Sequence, residues 1–180
     1  MKLKLDLHTH CNEATGFEKL SVKVVERLVL SIKAAGLDGI AITDHNGRPH
    51  HFEYPFKVKE IVDEYFKDEV LIIPGREFSE PTRHIVELSL PGDLLFRFIA
   101  HPGYPISKYW DEDLEGIMGL EIKNGQYPVA EERARELARQ HGLLLFSNSD
   151  AHRLKDIGKY YNEIDPEDLS KLARPAEKPD

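Results

Sequence analysis

The sequence has one cysteine, Cys11, in 180 residues, so no disulfide can form within the chain and nothing argues for secretion. It has no apolar stretch near the ~20 residues that a membrane span requires, and its opening residues carry no signal-peptide pattern. It also lacks a surplus of positive charge: Asp and Glu outnumber Lys and Arg by 32 to 24, for a net charge of −8. That balance disfavours binding along the phosphate backbone of long nucleic acid, although a local cationic site or a bound metal can still hold one phosphate. No Walker loop, HExxH pair or serine-nucleophile elbow is present, and there is no repeat, linker or low-complexity segment. The expectation is a cytoplasmic protein with no membrane partner.

Apolar residues make up 41% of the chain and charged residues 31%, ordinary for a globular protein and too apolar for a disordered one. The length fits one domain, read as residues 1–174, followed by a tail at 175–180 whose Pro175 and Pro179 suggest fraying. Short apolar runs alternate with helical stretches. Lys2–Leu7, Asp38–Thr43, Glu69–Ile73, His84–Leu90, Leu94–Ala100, Gly116–Ile122 and Leu143–Ser147 read as buried strands. Between them, Val22–Ala35 places Val22, Val25, Leu28, Val29, Ile32 and Ala35 on one stripe, with Ser21 as N-cap and Gly36 as terminator. Pro55–Phe66 and Pro128–Gln140 read as two further helices, the latter with Gly142 just past its end. The order points to an α/β architecture with a largely parallel sheet or barrel.

The chain carries nine histidines. His8, His10, His45, His84, His101 and His152 fall at the ends or starts of predicted strands, and in α/β sheets and barrels the carboxyl ends of parallel strands are where sites are built. In Asp6-Leu7-His8-Thr9-His10, residues two apart on a strand share a face, so both imidazoles can share one cation, and Asp6 could orient one ring. Thr43-Asp44-His45 follows one strand. Glu77 lies beyond another in Pro74-Gly75-Arg76-Glu77, and Ser149-Asp150-Ala151-His152 follows a third. Each of these has a plain alternative, as a hydrogen-bonded structural histidine, a solvated glutamate or a helix cap. Together they place six histidines and two carboxylates at strand boundaries, and a multinuclear metal site gives that a single cause.

As an ordered set, Asp6-Leu7-His8-Thr9-His10, Thr43-Asp44-His45, Pro74-Gly75-Arg76-Glu77, His84, Ala100-His101-Pro102 and Ser149-Asp150-Ala151-His152 resembles the PHP (polymerase and histidinol phosphatase) domain superfamily, from residue 3 to about 153. The resemblance implies a distorted (β/α)7 barrel with two or three divalent ions (zinc, manganese or iron) at the carboxyl ends of its strands. It implies a first ion held by His8, His10, Glu77 and Asp150, and a second held by the shared Glu77 with His84 and His101. A third would be held by His45, His152 and one more ligand. The family's usual position for that ligand falls near Thr15, a poor donor, and Glu13 is the acidic residue nearest to it. Glu77, Asp150 and His10 are the residues on which catalysis would depend.

The implied activity is metal-dependent hydrolysis of a small phosphorylated substrate, a phosphoesterase or phosphatase in which a metal-activated hydroxide attacks phosphorus. Arg48 and Arg83 are the candidate phosphate clamps, with Arg76 and Arg153 behind them, because guanidinium donors suit phosphate. Glu121 and Asn124 end another strand and could line the pocket, and Tyr104, Tyr109 and Trp110 could stack on a base or ring. Cys11 has no paired base and is not read as a nucleophile, nor is His141 read as a ligand, and His50 and His51 read as an exposed pair. Competing readings are a nuclease trimming terminal nucleotides, a non-catalytic metal-binding regulatory domain, and a mononuclear C–N hydrolase. The acidic balance, the retained ligands and the number of ligands count against them in turn.

Overall fold

The computed structural model describes residues 1–45 and 53–176. Strand β1 (Leu3–Thr9) leads into a one-turn helix α1 (Cys11–Ala14), helix α2 (Val22–Ala34), strand β2 (Gly39–Ile42) and helix α3 (Tyr54–Tyr65). Strands β3 (Leu71–Ser79), β4 (His84–Leu90), β5 (Leu94–Ala100) and β6 (Gly119–Asn124) follow, then helix α4 (Glu131–His141) and strand β7 (Leu144–Asn148). A 3-10 turn at Leu154–Asp156, strand β8 (Asn162–Ile164), helix α5 (Pro166–Leu172) and strand β9 (Arg174–Pro175) complete the order. No helix among the described residues is long and apolar enough to cross a membrane.

Local chemistry accounts for the helices. The Ser21 hydroxyl accepts from the Val24 N–H at 3.4 Å and caps α2, whose buried stripe of Val25, Leu28, Val29 and Ile32 packs on Ile40 and Ile42 of β2. Helix α4 ends where Gly142 takes a left-handed backbone, φ +69°. Helix α5 begins with Asp165 accepting from the Glu167 N–H at 3.1 Å and with Pro166 in its first turn.

The strands lie in the order β7-β6-β5-β4-β3-β2-β1-β8, with β9 added to β5. The barrel strands pair in parallel at β1/β2, β2/β3, β5/β6 and β6/β7, whereas β3/β4, β4/β5, β1/β8 and β5/β9 are antiparallel. The links at 80–83 and 91–93 are too short for the crossover that parallel neighbours need. Helical crossovers therefore serve only part of the barrel, and β4 runs against its neighbours. Of the tail expected to fray, residues 175 and 176 are held, and 177–180 lie outside the described residues. Arg174 and Pro175 pair with β5, and the Ala176 N–H donates to the Asp93 carbonyl at 2.7 Å.

The sheet curls until β7 approaches β1, forming a nearly closed barrel. Its seam is closed by backbone beyond β7: the Asp150 N–H donates to the His8 carbonyl and the His10 N–H to the Ala151 carbonyl, both at 2.9 Å. Asn148 accepts the Leu7 N–H at 3.0 Å, and Asn162 of β8 donates to Asn148 at 2.8 Å. Leu5, Leu7, Val86, Leu88, Phe96, Phe98 and Phe146 belong to the interior cluster, while α2 with α3, and α4 with the loop around Trp110, cover two outer clusters. The same seam that shuts the barrel carries Asp150 to its rim.

Candidate metal centre

Relative to β2, strand β1 holds one extra residue between Asp6 and Thr9. Such a bulge breaks simple alternation, so Leu7 sits in the interior cluster and His8 also turns inward, its ring edge-on to Phe98 at 6.5 Å. His10 follows at the rim. β3 runs on to Ser79, so Glu77 lies within the strand rather than beyond it. Because β4 is antiparallel, its first residue, His84, pairs with Ser79 and reaches the rim by its amino end. His84 thus stands at a strand start, where the sequence places it. His101 and Asp150 follow the ends of β5 and β7 with left-handed backbone, φ +30° and +52°, a conformation that Asp and His visit more readily than most residues.

The donor atoms converge on Glu77. Its Oε2 lies 3.4 Å from His10 Nε2, 3.6 Å from His8 Nε2 and 3.0 Å from His45 Nδ1. Its Oε1 lies 3.0 Å from His84 Nδ1 and 3.1 Å from His101 Nε2. Asp150 Oδ1 lies 3.0 Å from His10 Nε2 and 3.5 Å from His8 Nε2. Three groups of close donor atoms result: His8, His10 and Glu77; Glu77, His84 and His101; and His10, Glu13, His45 and His152. Glu13 therefore stands where the sequence left the last ligand open, 3.8 Å from His152 Nε2. The Thr15 hydroxyl turns back to the carbonyls of Cys11 and Asn12.

The residues fit divalent cations. Among the described residues, the ion-pair partners of Glu77 and Asp150 are all histidines. His10 Nδ1 and Asp150 Oδ1 are buried with no hydrogen-bond partner, which is costly unless another group satisfies them. Imidazole with carboxylate suits zinc, manganese and iron alike.

Behind the rings lies a carboxylate whose role the sequence reading did not assign. Glu121 Oε1 accepts from His8 Nδ1–H at 3.0 Å and from Asn148 at 2.7 Å, and Oε2 accepts from the His101 N–H at 2.7 Å and from Asn124 at 3.0 Å. A fully buried glutamate needs such partners, and its place inside the apolar run of β6 was the available signal. Asp6, expected to orient a ring, is corrected: it accepts backbone N–H groups of Ser149 and Gly158 and anchors the seam instead.

The electrostatics follow from this packing. Burial works against charge on His8, but Asp150, Glu121 and Glu77 outweigh it and hold its pKa well above the usual imidazole range. Burial lowers His10 to about 4. Glu77 and Asp150 are held well below the carboxylate range by the histidines, against the opposing effect of burial. Burial raises the Cys11 thiol, consistent with no nucleophilic role.

The expected clamps fare differently. Arg83 donates to Glu80 at 2.7 Å, to the Trp110 carbonyl at 3.4 Å and to the Asp113 carbonyl, so its guanidinium ties down the loop after β5. That engagement stands against its reading as a phosphate clamp. Arg76 pairs with Glu87 and Arg153 with Asp156. Arg48, His50 and His51 lie outside the described residues.

Residues 128–174 match the PHP-associated family, PHP_C. A comparison with curated proteins gives no significant match. Among solved structures, the chain is similar to a Bacteroides vulgatus two-domain protein described as containing a predicted PHP-like metal-dependent phosphoesterase (TM-score 0.59, 21% identity, 86% of this chain and 53% of that one). It thus spans about half the length of that relative. It is also similar to a protein from Bifidobacterium adolescentis described as a candidate metal-dependent phosphoesterase (TM-score 0.66, 15% identity, 93% and 94%). A third likeness is to PsfC from Pseudomonas syringae (TM-score 0.60, 15% identity, 87% and 79%). What the chain shares with these solved structures is the fold, a nearly closed barrel-shaped sheet.

Proposed function

We propose that this chain is a metal-dependent phosphoesterase acting on a small phosphorylated substrate, with phosphate monoesters as the preferred class. The observation that carries this reading is Glu77, whose two oxygens face separate histidine groups and can bridge two cations. In this assignment His8, His10, Glu77 and Asp150 hold one ion, and Glu77, His84 and His101 hold the second. Glu13, His45 and His152 hold a third. Bound ions of this kind lower the pKa of water and withdraw charge from phosphate oxygens. The chain's own residues set the frame: Glu121 fixes the His8 tautomer by accepting its Nδ1–H, which leaves Nε2 as donor. Asn124 steadies Asp150 through a hydrogen bond of 3.1 Å. Phosphate release from a panel of monoesters by metal-loaded protein tests the reading. Turnover that disappears on chelation supports it, and no turnover from fully loaded protein contradicts it.

Two expectations follow from the surroundings of His8. All four groups facing Glu121 are N–H donors, so Glu121→Gln sets its amide NH2 against two of them. Metal affinity measured by titration should fall about 10–100-fold, as for other groups that orient metal ligands, with the fold retained. His8 must also lose its Nε2 proton to bind. Because its pKa is raised in the metal-free protein, apparent affinity should fall as pH drops, by about tenfold per unit for each displaced proton. Calorimetry in buffers of different ionisation heats would show that proton release, and a pH-independent affinity would contradict it.

A further inference from the structure

The aromatic residues after β5 are arranged otherwise than the sequence suggests. Trp110 is buried in an outer cluster and Tyr109 is 58% exposed. Tyr104 instead stacks on Tyr127, with ring centroids 4.2 Å apart and planes 15° from parallel. His101 meets both rings edge-on, at 5.8 Å and 5.0 Å. Its Nδ1–H donates to the Tyr104 carbonyl at 3.1 Å, while its Nε2 faces Glu77. Tyr127 is held from the other side, its N–H donating at 2.9 Å to the same Asn124 that donates to Asp150 and Glu121. The pair is therefore braced by the side chains that frame the metal centre.

A wall of two parallel rings offers a flat apolar face at a fixed place beside the centre. Offset stacking favours planar rings, and stacking one on an aromatic side chain strengthens binding by about tenfold or more. Among the described residues, Arg83, Arg76 and Arg153 are held in ion pairs with Glu80, Glu87 and Asp156. We propose that the Tyr104–Tyr127 pair is the wall against which a planar ring of the substrate stacks, so that the chain prefers aryl and heteroaryl phosphate esters to aliphatic ones. This inference rests on the phosphoesterase reading and adds to it the class of leaving group.

The test is calorimetric titration of manganese-loaded protein with phenylphosphonate and with methylphosphonate. Phenylphosphonate should bind about tenfold tighter to the wild type. Tyr127→Leu should bring the two affinities together by weakening phenylphosphonate alone, and Tyr127→Phe should keep the preference. Equal affinities in the wild type, or a preference that survives Tyr127→Leu, would overturn the proposal while leaving the phosphoesterase reading intact. Binding of neither phosphonate to fully loaded protein would overturn both. If Tyr127→Leu fails to fold, the wild-type ratio and Tyr104→Leu decide the matter on the same criterion.

Discussion

Replacing Glu77 by Gln is expected to empty both principal ion sites at once. Glu77 is 1% exposed and is the one side chain common to the two groups, with Oε2 facing His8 and His10 and Oε1 facing His84 and His101. An amide at that place offers a single neutral oxygen, and its NH2 cannot ligate a cation. Metal content should drop by two ions per chain, because the group of His10, Glu13, His45 and His152 does not use Glu77. Phosphate release should fall by about 10³-fold or more, since each factor of ten is 1.36 kcal/mol and a bound cation supplies several. His84→Ala gives the contrast, because its group is the outer one and the donors around His10 remain. It should lose one ion and keep the other. Plasma mass spectrometry of both variants checks the pair, and equal metal loss in the two would show that Glu77 does not bridge.

The second large effect lies in the barrel interior. Phe146 is 1% exposed and meets Phe98 at 5.0 Å and Phe96 at 5.8 Å, the latter edge-on. Across from it, Gly119 has no room for a β-carbon, which would overlap the ring, so β6 is already pressed against the Phe146 side chain. Phe146→Ala leaves a cavity walled by strands on which the chain cannot easily collapse. It should cost about 3–5 kcal/mol. For a domain of this size that corresponds to a Tm lower by about 10 °C, at roughly 2–4 °C per kcal/mol. Leu30→Ala, at a side chain 59% exposed, should move Tm within experimental error. Thermal melts followed by circular dichroism separate the two, and a Phe146→Ala melt matching wild type would contradict this account of the core.

How far the sequence reaches differs from element to element. The seven principal strands and three longer helices were legible because each repeats apolar residues with a clear period over several turns or pleats. The single turn at Cys11–Ala14, strand Asn162–Ile164 and strand Arg174–Pro175 are too short to show one, and they depend on partners far along the chain. Helix Pro166–Leu172 did announce itself, through Asp165 as cap and Pro166 behind it, a signal the periodicity reading passed over. Strand direction was partly legible, since links as short as 80–83 and 91–93 exclude a crossover.

At the centre, the residue types and their order pointed to the donors that the fold brings together. The partners behind them were less visible. Asp6 lies two residues before His8, and period-2 alternation puts it on the same face, but the bulge after it turns His8 inward and leaves Asp6 on the backbone of Ser149 and Gly158. Glu121 does that work from a strand more than a hundred residues away, a pairing that no local pattern encodes. Tyr127 escaped notice for the same reason: its neighbour Tyr104 is near only in space.

The central claim is that one buried carboxylate joins two cation sites at the rim of this barrel. A crystal structure of manganese-loaded protein, with the ions located by anomalous scattering, tests it most directly. The account predicts two peaks in contact with Glu77, one also touching His8, His10 and Asp150, the other His84 and His101. A single peak, or peaks that leave Glu77 untouched, would contradict it.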